Sequence, residues 1–566
     1  MLFNSNGSDE VTYDAIVVGS GISGGWAAKE LTEKGLKTLV LDRGRDVKHG
    51  DYPTANMDPW ELPNRGRVDY EEIQKHYPKQ HRTGYTTNPA HRHFFVKDSE
   101  HPYYEDKRFD WCRGYHVGGR SLTWGRHVYR WGPQDFEANA KDGVAIDWPI
   151  RYKDIEPWYD YVENFIGIQG MNEGLSHVPD NKYLGNFELN CVEVDARKKI
   201  KDKMGITLTI GRTAHLMREH NGRGKCQARN RCMRGCPYGA YFSSNASTLP
   251  AAMKTGNMTL RPFSIVHSLI YDDATGKAIG VNVIDKETKE SHEFYAKVIF
   301  LCASAIASTS ILMNSTSDRF PNGFGNDSGE LGHNLMDHHF RTGARAEVEG
   351  YEDKYYKGRR PPGFYVARFA NLDKASKKDY LRGWGYQGAA SRGGWGSAVT
   401  ELKAGPQFKE MMGNPGKWSM GMTAFGEMLP DHRNRMYLNH DKLDAWGIPT
   451  VTFDCEFREN EMAMRPDMAN YAAEMLEASG FKNVSTYDSI GGPGLGIHEM
   501  GTARMGRDPK TSVLNGNNAV HASPNVYVTD GACMTSSACQ NPSITYMALT
   551  ARAASHAVDQ LNKNNI

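Results

Sequence analysis

A glycine-rich turn near the N-terminus has the spacing that binds the pyrophosphate of a dinucleotide. Residues 19–24 read GSGISG and match G-x-G-x-x-G, after an apolar run fit for a buried strand and before a helical pattern. Gly19 permits the tight turn, Gly21 lets the backbone approach a phosphate, and Gly24 lets strand and helix pack closely. The turn alone leaves open a nicotinamide dinucleotide, a flavin dinucleotide, or no ligand.

The strand after this turn leads to an acidic residue. The run Thr38–Leu41 reads TLVL, and Asp42 follows it directly. A carboxylate at this position accepts hydrogen bonds from an adenosine ribose. Strand, glycine turn, helix and strand together form a βαβ unit.

Three cysteines in one short segment could hold an inorganic centre. Cys226, Cys232 and Cys236 have the spacing C-x5-C-x3-C, followed by proline as in bacterial ferredoxin segments. Thiolates suit an iron–sulfur cluster or zinc, but zinc would need a fourth ligand, for which His220 is available at an unusual spacing. The missing fourth cysteine favours a three-iron (3Fe-4S) cluster. Redox-inert cysteines are the remaining possibility.

Other apolar runs return late in the chain. Residues 298–302 (VIFLC) and 525–529 (NVYVT) predict buried strands, and a helical pattern runs from 542 to 561. The nucleotide fold is therefore assembled from discontinuous segments. Residues 45–110 predict long surface excursions, and the aromatic-rich stretch 340–490 predicts a second lobe.

Several motifs, in order, resemble the glucose-methanol-choline (GMC) oxidoreductases from end to end. The segments that carry the resemblance are 111–125 (WCRGYHVGGRSLTWG), 329–338 (GELGHNLMDH), 427–449, 498–506 (HEMGTARMG), Asp530-Gly531 and Asn541-Pro542. The resemblance implies an α/β fold: a Rossmann-like FAD-binding domain built from discontinuous segments, plus a mixed-sheet (α+β) substrate lobe.

The resemblance also implies a division of the chain. The FAD-binding domain comprises residues 1–135, 246–338 and 491–566. The substrate lobe comprises 136–215 and 339–490. Residues 216–245 form a cysteine-rich electron-transfer loop.

The resemblance assigns site residues. His498 stands at the position of the active-site histidine, and Asn541 at that of a second residue facing the same substrate hydroxyl. A histidine can take the hydroxyl proton near neutral pH as hydride leaves the carbon for the flavin. The residues expected to bind FAD are Gly19, Gly21, Ser23, Gly24, Asp42, Arg43, Gly118, Gly119, Ser121, Thr123, Trp124, Gly125, Val266, Asp530, Gly531, Asn541, Pro542 and Ser543.

One departure from the family concerns flavin attachment. Where one branch of the family has a histidine that bonds covalently to FAD, this chain has Thr123. The sequence therefore predicts noncovalent FAD.

The cysteine segment resembles the large subunits of bacterial flavin-dependent sugar dehydrogenases and glucoside 3-dehydrogenases. This implies a dehydrogenase that oxidises a sugar or glycoside, favouring C3 of glucosides, and passes electrons through 3Fe-4S to a c-type cytochrome beside a small companion subunit. Gluconate, sorbitol or fructose dehydrogenase is the alternative. An oxidase with a zinc loop, or a noncatalytic flavoprotein, represents other classes. Four aromatic residues could stack on a sugar, though a core position is the more common role: Trp384, Tyr386, Trp395 and Trp418.

Length and composition limit the classes of protein to which this chain can belong. A chain of 566 residues exceeds what one hydrophobic core usually serves, so two lobes are expected. Lys and Arg (68) nearly balance Asp and Glu (67), so no long-range field favours nucleic acid or an anionic membrane. The sequence contains no run of 18 apolar residues, so we expect no membrane-spanning helix. Residues 1–10 lack the basic and apolar regions of a secretory signal, so we expect none. The compartment is then cytoplasmic, or periplasmic through a partner that bears the signal.

Overall fold

A computed structural model describes residues 13–354, 361–393, 404–413 and 416–566. The segment tested for a signal peptide and the suggested sugar contact Trp395 lie outside these residues. Three sheets organise the described chain.

The first sheet has a parallel core in the order β17-β8-β1-β2-β5. These strands are β1 (Tyr13–Val18), β2 (Thr38–Leu41), β5 (Met258–Arg261), β8 (Ser291–Leu301) and β17 (Ser523–Val528). β1, β2 and β17 are short and mostly buried, as expected for parallel strands covered by helices.

Antiparallel strands extend this sheet. The hairpin of β6 (Ser264–Asp272) and β7 (Lys277–Asp285) joins it through β8, and β16 (Ala519–Val520) joins it through β17. The helices associated with this part of the chain are α1 (Ile22–Glu33), α6 (Thr248–Lys254), α7 (Ala305–Asn314) and α10 (Ser543–Asn562). In α10, Ile544, Met547, Ala548 and Ala551 recur at helical spacing and are fully buried.

The second sheet is six-stranded and antiparallel, in the order β15-β9-β12-β11-β10-β4. Its strands are β4 (Leu208–Ile210), β9 (His338–Val348), β10 (Phe364–Val366), β11 (Trp384–Arg392), β12 (Trp418–Glu427) and β15 (Lys482–Asp488). Helices α5 (Cys191–Met204) and α9 (Glu459–Ala478) contribute buried side chains to its core.

The third sheet has three strands and mixed pairing. β14 (Pro449–Asp454) pairs antiparallel to β13 (Arg435–Leu443) and parallel to β3 (Tyr104–Glu105). The remaining helices are α2 (Tyr70–His76), α3 (Pro133–Asp142), α4 (Tyr152–Ile166) and α8 (Pro406–Gly413).

Two expectations about residue placement are corrected here. Residues 45–110 are more than a surface excursion, because Tyr52, Phe94 and neighbouring apolar side chains form a small core with Leu122. Trp384, Tyr386 and Trp418 are 1%, 0% and 3% exposed in the core of the antiparallel sheet. These three aromatic residues are therefore not available to stack on a sugar.

Candidate active site

A cavity of about 300 Å³ lies where the parallel strands end. Residues within two positions of the ends of β1, β2, β8 and β17 line it: Gly19, Asp42, Cys302 and Asp530. The carboxyl edge of an open parallel sheet is where α/β proteins bind nucleotides. The fold thus places the glycine turn at the expected edge of the sheet.

Two glycine segments face each other across this cavity. Gly21 is the N-cap of α1 and provides no side-chain cap for the free N–H groups of the helix. A Cβ added to Gly21 would meet no protein atom within 4 Å, whereas one added to Gly119 would lie 3.5 Å from the Gly21 Cα. Backbone N–H groups and open space together form a cradle for an anionic group such as phosphate.

Asp42 is held beside this cradle by protein donors. Its Oδ2 accepts hydrogen bonds from the Ser20 amide, at 3.2 Å, and from the Ser20 hydroxyl. Its Oδ1 accepts one from the Gly44 amide at 2.8 Å. The carboxylate is therefore fixed in position at the cavity wall, with lone pairs left for ligand hydroxyls.

Most of the residues expected to bind the cofactor line the cavity. Those that do are Gly19, Gly21, Ser23, Asp42, Arg43, Gly119, Ser121, Thr123, Trp124, Gly125, Val266, Asp530, Gly531, Asn541 and Ser543. The other three, Gly24, Gly118 and Pro542, do not line it. A Cβ on Gly24 would come within 1.9 Å of the Gly19 carbonyl oxygen, and one on Gly118 within 1.7 Å of Asn245 Oδ1.

His498 lies in a loop whose backbone is fixed by one buried carboxyl group. Asp337, which is fully buried, accepts hydrogen bonds from the amides of Gly496 (2.7 Å) and His498 (3.0 Å). Met336 and Met500 exchange backbone hydrogen bonds of 2.9 and 3.0 Å on the same side. The loop is thereby joined to the chain just before β9.

The next residue, His338, fixes the tautomer of His498. His338 Nε2 lies 2.7 Å from the carbonyl oxygen of Ala538, which can only accept, so His338 Nε2 carries the proton. Its Nδ1 is then an acceptor, and it lies 2.6 Å from His498 Nδ1. His498 Nδ1–H therefore donates to His338, which leaves the lone pair of His498 on Nε2.

That lone pair faces Asn541. Asn541 Nδ2 lies 3.4 Å from His498 Nε2, and Asn541 Oδ1 accepts a hydrogen bond of 2.6 Å from Gln387 Nε2 on β11. Gln387 thereby orients the amide so that its N–H groups point toward His498. The pair presents one proton acceptor and one donor to the cavity.

Burial sets the protonation state of both histidines. It lowers the pKa of His498 well below its usual value, with further lowering from His338 and Arg120. It also lowers the pKa of His338 to about 4. Both rings are neutral at neutral pH, as the hydrogen-bond pattern requires.

Sequence reasoning did not assign roles to Asp337, His338 or Gln387, nor to the ion pair beside the site. Arg120 donates to both carboxylate oxygens of the 3% exposed Glu499, at 3.1 and 2.7 Å, and ties the loop 118–125 to the His498 loop. The segment 329–338 was recognised as a family motif, and it is the signal that could have identified Asp337 and His338.

Comparison with known sequences identifies the family. Residues 13–340 and 430–550 match the two sequence models of the GMC oxidoreductases, the first of which alone covers more than half of the chain. The chain belongs to the GMC oxidoreductase family. It is therefore an FAD-dependent oxidoreductase that acts on CH–OH donors.

Relatives match this GMC oxidoreductase over nearly its whole length. 2-Methyl-1,2-propanediol dehydrogenase of Mycolicibacterium austroafricanum is 28% identical, with 96% of this chain and 94% of the relative covered. The fructose dehydrogenase large subunit of Gluconobacter japonicus is 26% identical, with 98% and 99% covered. The structure of formate oxidase from Aspergillus oryzae RIB40 is similar in fold, with a TM-score of 0.62 at 14% identity, over 98% of this chain and all of that one.

The cavity of this GMC oxidoreductase is suited to FAD. Besides the phosphate cradle and Asp42, the buried atoms Arg43 Nε and Tyr546 Oη line it without any hydrogen-bond partner in the described structure. Unpartnered buried polar atoms are costly unless a ligand satisfies them. A dinucleotide with polar groups along its length would supply such partners.

The cysteine segment of this GMC oxidoreductase does not form a metal-binding arrangement. Cys226, Cys232 and Cys236 are half-buried, unpaired neighbours, but no three His, Cys, Asp or Glu side chains within the described ranges converge to hold a metal ion. His220 Nε2 lies 2.8 Å from the Asn164 carbonyl oxygen, while His215 Nε2 lies 3.8 Å from Cys232 Sγ. The thiols as placed are not the ligand set that the spacing predicts.

No helix in the described part of the chain has the length and apolar character needed to cross a membrane.

Proposed function

We propose that this GMC oxidoreductase is a dehydrogenase that oxidises a secondary hydroxyl of a sugar or glycoside, with His498 as the general base. The observation that carries the proposal is the hydrogen-bond chain from Ala538 through His338 to His498. It leaves the unprotonated Nε2 of His498 directed toward Asn541 at the cavity.

The residues of the site divide the work of alcohol oxidation. When bound at this cavity, FAD would supply the hydride acceptor for alcohol oxidation. His498 Nε2 accepts the hydroxyl proton, and the 3.4 Å between it and Asn541 Nδ2 lets one substrate oxygen contact both groups. Asn541 N–H donates to that oxygen and orients the C–H bond. His338 accepts from His498 Nδ1–H and so stabilises the imidazolium that forms.

We further propose that the cavity residues named above bind FAD noncovalently, since Thr123 offers no imidazole for attachment. In the proposed division, residues 1–135, 246–338 and 491–566 bind FAD, residues 136–215 and 339–490 bind substrate, and residues 216–245 form the cysteine-rich loop. Both sequence relatives described above are named as dehydrogenases, which is consistent with the proposed reaction.

The proposed substrate is a glucoside oxidised at C3, and the alternative is a free polyol, ketose or gluconate. The alternative gains support from the relative named for fructose oxidation. The preference between these substrates can be tested with a redox dye and a panel of glucosides, glucose, fructose, sorbitol and gluconate. Faster turnover on free sugars or polyols than on any glucoside would reverse it.

The 3Fe-4S cluster stays a prediction. The spacing of the three cysteines supports it, whereas their placement does not. We also propose a small companion subunit, a c-type cytochrome as electron acceptor, and a periplasmic location. The relative named as a fructose dehydrogenase large subunit supports the companion subunit. Measuring iron and acid-labile sulfide in anaerobically purified protein tests the cluster. About three irons per FAD would support it, and a protein without iron would refute it.

A further inference from the structure

A second cavity, separate from the candidate active site, is lined by arginines. Its volume is about 510 Å³, within the range of small-molecule sites. Arg65, Arg67, Arg126, Arg231 and Arg234 line it, together with Cys232 and other residues, and none of its described lining residues is an aspartate or glutamate. Positive side chains therefore outnumber negative ones at the cavity wall.

The side chains of the loop 229–234 are held in place by the segment 54–58. Arg231 forms an ion pair with Asp58, which does not line the cavity. Arg234 donates to the Met57 carbonyl oxygen at 2.8 Å. These contacts fix both guanidinium groups at the wall without placing an acidic group inside the cavity.

Arg126, which lines both cavities, supplies a second observation. Its side chain is 6% exposed, it pairs with no carboxylate among the described residues, and its Nε has no hydrogen-bond partner there. Its guanidinium lies 5.0 Å from the centre of the Tyr241 ring, and Nη1 lies 3.9 Å from Met233 Sδ. A buried cation with only these contacts is costly unless an anion accompanies it.

We propose that this second cavity binds a small polyanion that carries phosphate or carboxylate groups. Arginine forks bind both groups through two parallel N–H···O bonds, and several such forks around one cavity favour a ligand with more than one negative charge. The site lies beside the active-site cavity, because Arg126 lines both. This proposal does not depend on the substrate or on the role of His498.

Calorimetric titration of the FAD-loaded protein tests the site, with inorganic pyrophosphate and citrate as probes at low ionic strength. FAD would occupy the phosphate cradle at Gly21, so the probes would report on the second cavity. Saturable binding is expected, tighter for pyrophosphate if the ligand is a phosphate and tighter for citrate if it is a carboxylate. Binding should weaken about tenfold or more in Arg65→Gln and in Arg234→Gln.

Two further variants keep the test decisive. Asn230→Asp adds a carboxylate at the cavity wall with little change in shape, and should weaken binding even if Arg234→Gln proves unstable. Arg319→Gln is the matched control, since Arg319 is a surface arginine paired with Asp327 and does not line the cavity. Absence of binding up to about 10 mM, or equal binding by the cavity variants and the control, would overturn the proposal.

Discussion

His338 Nδ1 lies 2.6 Å from His498 Nδ1, so one proton must be shared between two imidazole nitrogens. The Ala538 carbonyl oxygen on the far side of His338 decides which ring donates. Asp337, the residue before His338, holds the backbone of His498 through a hydrogen bond of 3.0 Å. Two consecutive side chains thus set the position and the tautomer of the proposed base.

Replacing His338 should impair turnover without removing FAD. In His338→Leu, His498 Nδ1–H loses its acceptor, and we expect kcat to fall about 10- to 100-fold with a smaller change in KM. His338→Gln can still accept from His498 and donate to Ala538, and should retain most of the activity. The exposed His440→Gln is the control for steady-state kinetics. Equal losses in the Leu and Gln variants would argue against the tautomer role.

His338 also predicts how stability depends on pH. Burial lowers its pKa to about 4, from an unfolded value of about 6.5. Between these values the unfolded chain binds a proton that the folded chain does not, so the free energy of unfolding decreases as the pH falls. His338→Gln should make this slope shallower by about 1.4 kcal/mol per pH unit, measured by denaturant unfolding. Parallel curves for variant and wild type would contradict the assignment.

Asn541 and Gln387 should show graded effects. Asn541→Ala removes the donor to the substrate oxygen, and we expect kcat to fall about 100-fold. Gln387→Ala leaves that donor but frees its orientation, so the loss should be about tenfold. Presteady-state rates of flavin reduction separate these effects from product release. A larger defect in Gln387→Ala than in Asn541→Ala would reverse the proposed roles.

The phosphate cradle can be tested with a single methyl group. Gly21→Ala places a Cβ in open space at the cavity, so the protein should fold but bind FAD about 10- to 100-fold more weakly. Gly413→Ala is the matched control, because its Cβ also meets no atom within 4 Å and Gly413 does not line the cavity. Fluorescence titration of the apoprotein measures both affinities. Equal FAD affinity in the two variants would show that Gly21 does not contribute to the phosphate cradle.

Local patterns in the sequence were enough to predict the nucleotide end of the fold. The turn at Gly19, the strand 38–41 and the return of strand and helix near the C-terminus depend on spacing between near neighbours, which sequence records directly. The positions of His498 and Asn541 came from family resemblance instead. Nothing in their local sequence distinguishes them from a loop histidine and a helix cap.

The rest of the site depends on contacts between distant segments. Gln387 comes from the antiparallel sheet, and its strand also carries Trp384 and Tyr386 into the hydrophobic core. Successive side chains of a strand alternate between faces, so Gln387 lies on the face opposite these aromatic residues. Aromatic content alone could not tell which face meets the cavity.

The most direct test of the account is anaerobic stopped-flow reduction of the bound flavin by a sugar or glycoside, in wild type and in His498→Ala. We expect the wild-type flavin to be bleached by at least one substrate of the panel, and the variant to react about 100- to 10,000-fold more slowly at equal FAD occupancy. Near-normal reduction in His498→Ala would remove His498 as the base. A wild-type flavin that no sugar, glycoside or polyol bleaches would contradict the proposed function itself.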